Sequence, residues 1–85
     1  MKLPMFSVRD VKHAFWAPQV EQNDDVAKRN FAFMVNTNSI TQFTPSDFDF
    51  YKVGYFDTQK GTVEPIEVPE FICSGSSVFG DNYEK

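Results

Sequence analysis

Eighty-five residues with a net charge of −4 and a pI near 4.7 describe one small domain that does not coat a polyanion by bulk charge. The single cysteine cannot close an internal disulfide and no Cys/His cluster offers a structural metal, so apolar packing has to hold the fold. A body this small cannot hide ten Phe, three Tyr and one Trp, which predicts that some rings lie at a surface where a partner meets them.

The first element is a strand. In "MFSVRDV", residues 5–11, Phe6 and Val8 alternate with Ser7 and Arg9. "KHAFWAPQV" then continues extended or turns back as a second short strand, and Pro18 restricts it to an edge or a strand end. Asn23 is a good N-cap, with Asp24 and Asp25 in the first turn where carboxylates suit the positive end of the helix dipole. A helix is expected over 24–36. Val26, Ala27, Phe31, Met34 and Val35 make its apolar stripe, Lys28, Arg29 and Ala32 face away, and Phe33 lies near the stripe's edge.

"NTNS" ends that helix, and Ile40 and Phe43 fall in a loose turn. "DFDFYKVGYFD", residues 47–57, is the strongest strand pattern: Phe48 and Phe50 point one way, Tyr51, Val53 and Tyr55 the other. "DTQKG" reads as a hairpin loop in which Gly61 takes positive φ, and "TVEPIEV", 62–68, returns as an edge strand because of Pro65. The expected fold is α+β, one main helix on a small, mainly antiparallel sheet. Residues 1–72 form the single compact domain, and 73–85 a mobile C-terminal tail.

Nothing in this pattern is catalytic. His13 and Cys73 stand sixty residues apart with no local signature, and there is no phosphate-binding glycine loop, so no enzyme and no cofactor is expected. No apolar run approaches the ~18 residues of a membrane span, and a lone thiol suits the cytosol.

Binding is the remaining role. Residues 1–42 hold five basic and four acidic groups, while 43–85 hold three and eight, so any phosphate-seeking face belongs to the N-terminal half. Single-strand binders combine a basic track with rings for bases to stack on. The candidates are Arg9, Lys12, Phe15, Trp16, Lys28 and Arg29. Taken alone, Lys28-Arg29 describe a solvated helix face, with Arg29 able to pair with Asp25 at i, i+4. Trp16 alone reads equally as a lid on the core. A surface for protein contacts, or for a second copy in a homo-oligomer, would use the same surplus rings.

One longer pattern narrows this. Phe6-Ser7-Val8, Asp10, Lys12, Phe15, Pro18, Asn23-Asp24, Ala27, Arg29, Phe31 and Val35-Asn36 come first, followed by Pro45, Asp47-Phe48, Tyr51, Gly54, Phe56-Asp57 and Gly61. In this order and spacing they resemble the small nonstructural protein of gokushovirus-type microviruses, phages that package single-stranded DNA. The likeness covers residues 6 to about 69. It departs at Arg9, where the family often has Tyr, and in "ICSGSSVFGDNYEK", which is not a shared signature. The resemblance implies an accessory protein labelled DNA-binding, acting in the cytoplasm of the infected bacterium around genome synthesis or packaging and absent from the mature virion. Its partners would be single-stranded DNA, or a viral capsid or replication protein.

Overall fold

The structure, a computed structural model, describes residues 1–80; the last part of the expected tail, 81–85, lies outside the described residues. β1 (Lys2–Asp10), β2 (Gln19–Val20), β3 (Phe48–Asp57) and β4 (Thr62–Ser74) form one antiparallel sheet in the order β2-β1-β3-β4. The chain is thus α+β, with helix α1 (Asp24–Thr37) as its main helix. Of the two options after β1, the chain turns back. Asp10 N donates to Ala14 O, Phe15 bridges Arg9, Trp16 N donates to Val8 O, and residues 14–20 run along β1 as an outer strand.

Helix α1 starts where its cap dictates: the Asn23 side chain accepts from Val26 N at 2.8 Å. It ends at Asn38, whose side chain caps the following short helix α2 (Ser39–Phe43). Ala27, Phe31 and Val35 bury against the sheet face that carries Phe6 and Phe50. The rings of Phe6, Phe50 and Phe31 stack in sequence, with centroids 5.1 and 4.6 Å apart and planes within 7° and 14° of parallel.

Ala32 is buried in the same core, contrary to the outward position its place on the helix suggests. The cause lies at the C-terminal end of the described chain. The compact body does not stop at residue 72. β4 continues through Pro69 to Ser74, the turn α3 (Gly75–Val78) follows, and Val78 enters the core. Asn36 Nδ2 ties the turn to the helix by donating to both Ala32 O and Val78 O.

β4 is an edge strand, as Pro65 requires, and it carries a large irregularity. Lys52 pairs with Glu70 but Gly54 with Pro65, so residues 66–69 oppose Val53 alone. A Cβ on Gly54 would stand 2.6 Å from Glu64 O, so only glycine permits this approach. Gly61 closes the β3–β4 hairpin at φ 69°, and the Asp57 carboxylate accepts from the N–H groups of Lys60 and Gln59, which holds its pKa below the ordinary value.

Candidate nucleic-acid interface

α1 covers one face of the sheet, and among the described residues no helix covers the other. On that open face the register aligns a row of rings. Ser7 pairs with Tyr51 and Tyr51 with Phe71, while Phe15 stands beyond β1 on the outer strand. Ser7 is small, so the Phe15 and Tyr51 rings meet across it, 5.4 Å apart and at 69°. Tyr51 and Phe71 meet at 5.6 Å and 76°. Phe15 is 45% exposed and Phe71 54%, with Tyr51 half-buried between them. Ser7 Oγ donates to Trp16 O at 2.6 Å, which pins the outer strand to β1 and fixes the end of the row.

Arg9 lies one step along this face, exposed, with Asp49 as its cross-strand neighbour and no ion pair to it. Lys12 sits at the adjoining turn, its backbone N–H held by Asp10 Oδ1 at 3.0 Å and its side chain exposed. Arg9, Lys12 and Phe15 therefore gather at one edge of the open face. Trp16 does not join them. As the residue after Phe15 it turns to the helix side, where its ring meets Phe48 at 5.7 Å.

Lys28 and Arg29 are both exposed on α1, in the layer on the far side of the sheet. The charge of Lys28 acts on Cys73, on β4, against the burial that raises its thiol, and Asn30 on the same helix donates to Glu21 near β2. The anticipated Arg29–Asp25 pair is not formed. Among the described residues the ion pairs are Lys2–Glu64 at 2.8 Å and Lys52–Asp24 at 3.0 Å. The row also contains two rings absent from the candidate set. Tyr51 was visible in the alternation of its strand; Phe71 lies behind Pro69, where a strand was expected to have ended.

Other chemistry is sparse. Burial pushes the Cys73 thiol above its ordinary value, away from what a nucleophile needs. No group of three or more His, Cys, Asp or Glu among the described residues is placed to hold a metal ion, and no described helix is long and apolar enough to cross a membrane.

The site defines a class: a small α+β domain with a ring-bearing, uncovered antiparallel sheet face. The chain belongs to the Phage ORF5 protein family, whose model matches residues 3–78. That match reaches Val78, so it includes the turn that completes the core. No curated protein and no solved structure matches the chain.

Proposed function

We propose that this phage protein is a nonenzymatic accessory factor that binds single-stranded DNA during genome synthesis or packaging. It acts in the cytoplasm of the infected bacterium and is left out of the virion, as in the gokushovirus-type microviruses its motifs resemble. The observation that carries the reading is the Phe15–Tyr51–Phe71 row. Bases stack on exposed rings regardless of sequence, and each stack contributes roughly 1–3 kcal/mol. Rings that already brace one another need little further ordering when a base arrives. Arg9 and Lys12 supply phosphate contacts at one end of the row.

Membership of a phage family supports the setting, and the acidic composition shapes the expectation for salt. Each phosphate neutralised on a single strand contributes about −0.7 to the slope of log affinity against log salt. Two contacts, Arg9 and Lys12, predict a slope of about −1.4, shallow beside a charge-driven binder. The test is a mobility shift of labelled single strands from ~50 mM salt upward, with Phe71→Ala and Arg9→Ala alongside. Phe71→Ala should weaken binding about tenfold at every salt concentration, and Arg9→Ala should flatten the slope. No shift at the lowest salt ends this reading.

A second reading has its own observation. Residues 30–46 carry no charged side chain, and within them Phe33, Ile40 and Phe43 are 70%, 68% and 87% exposed. Interface centres are depleted in charge and rich in aromatics, so this stretch fits an adaptor that self-associates or docks on a capsid or replication protein. Sedimentation at monomer mass over a wide concentration range, for a protein that also ignores DNA, would leave only the heterologous partner.

A further inference from the structure

Phe15 and Trp16 are consecutive on the outer strand, so their rings leave the sheet on opposite faces of the same edge. On the helix side Trp16 forms one wall of a cavity of about 120 Å³ between α1 and the outer strand. Its buried floor is the stacked set Phe6, Phe50 and Phe31. Its rim holds Gln19, Glu21 and Asn30, and Asn30 Nδ2 donates to Glu21 Oε1 at 3.1 Å.

Size restricts the ligand first. Pockets for drug-sized molecules run to roughly 300–1,000 Å³, whereas an apolar cavity of ~150 Å³ admits a benzene ring. At about 120 Å³ this one is a little smaller, so it takes at most one six-membered ring and not a fused pair. The rim restricts it further. A carboxylate and two primary amides offer acceptors and donors together, matching the N–H and C=O groups on the edge of a heterocycle. A hydrocarbon ring would strip those groups of water and return nothing. The rim contains no cation, so the cavity suits an uncharged base and not a phosphate.

From this we infer that the cavity holds one pyrimidine base of a single strand that passes over the sheet edge. One base lies on Phe15 and a neighbour turns in beside Trp16. This rests on the DNA-binding function proposed above and adds to it a second, base-selective contact on the opposite face.

Trp16 is the only tryptophan in the chain, so its indole N–H gives a single, assignable NMR signal. The full-length protein is titrated with thymidine, deoxycytidine, deoxyadenosine and deoxyguanosine, which carry no phosphate. The pyrimidine nucleosides should shift the Trp16 signal saturably, and the purines should bind at least several-fold more weakly. Ala17→Phe, which fills the mouth from an exposed lining position, should abolish the shift while far-UV circular dichroism is unchanged. Asn30→Ala, on the rim, should weaken pyrimidine binding several-fold. Should Ala17→Phe fail to fold, Asn30→Ala alone decides, and unchanged affinity there overturns the inference.

The two proposals separate cleanly. If labelled single strands shift but no nucleoside moves the Trp16 signal, the cavity inference is overturned and the ring row stands. Nucleoside binding that survives a folded Ala17→Phe also overturns it, because the contact is then elsewhere. Pyrimidine nucleosides that bind a protein unable to shift single strands leave a nucleoside pocket, and overturn both the row and the use of that pocket by a DNA strand.

Discussion

The two faces of the sheet use the same kind of side chain to opposite ends. On the covered face Phe6, Phe50 and Phe31 are buried and nearly parallel, 5.1 and 4.6 Å apart. On the open face Phe15, Tyr51 and Phe71 stand edge to face at 5.4 and 5.6 Å, and the outer two are about half exposed. β3 feeds both sets, since Phe50 and Tyr51 are neighbours in sequence and alternate across the pleat. The difference lies in what lies above each set. One long helix covers one face, and the rings of the other steady each other without losing contact with solvent. The aromatic surplus is therefore a property of layer number, and its ordered exposure is what a stacking partner requires.

The largest expected effect tests that contrast directly. Phe50→Ala removes the middle ring of the buried stack and should cost about 3–5 kcal/mol in urea unfolding. Phe71→Ala removes one edge contact at the surface and should cost about 1 kcal/mol or less. Equal losses would mean that the open face is as structural as the covered one. Next in size is Gly75→Ala. A Cβ there would run into the Pro45 carbonyl oxygen and stand 3.0 Å from Phe48 O, a backbone wall that cannot swing aside. A loss of about 1–3 kcal/mol is expected, comparable to overpacking a core. A neutral result would detach the C-terminal turn from the covered face.

That turn is also where sequence and structure part. α1 announces itself through Asn23, its acidic first turn and the 27, 31, 35 spacing, each of which acts within the helix itself. Gly75–Val78 lies in a stretch rich in Ser and Gly that has no periodicity, and its one apolar anchor, Val78, acts only through tertiary contact. Missing it leaves Ala32 without a cover, so two expectations fail for one reason. The candidate site divides in the same way. Arg9 and Tyr51 follow from strand alternation. Phe71 is masked by Pro69, because the long irregularity that lets the edge strand resume after a proline is set by pairing with β3. Phe15 and Trp16 take opposite faces once the chain turns back after β1, a path the sequence leaves open. Lys28 and Arg29, by contrast, are set on the helix side by how the layers stack, which no local pattern contains.

The smallest expected effect concerns the buried lysine on the covered face. Lys52 keeps the phase of Phe48 and Phe50 and is 8% exposed. Its ammonium lies 3.0 Å from Asp24 and within 6 Å of the Phe6 and Tyr55 rings, at 5.8 and 5.6 Å. Burial pulls its pKa down, but the hydrogen bond and charge of Asp24 outweigh burial, and the net shift is upward from 10.5. A group raised in this way stabilises the fold fully below its unfolded pKa and loses that contribution as pH climbs through the folded one. Lys52→Met removes the attraction and the desolvation cost together and leaves Asp24 half exposed to water, so stability near pH 7 should change by no more than about 1 kcal/mol. Above pH 10.5 the stability of the wild type relative to Lys52→Met should fall, because only the lysine has a proton to lose there. Urea midpoints of both proteins at neutral pH and at pH values on either side of 10.5 measure this, and taking their difference removes most of the effect of tyrosine ionisation common to the two. A difference that stays constant across that range would show that the fold does not favour the charged form of Lys52 over the neutral one.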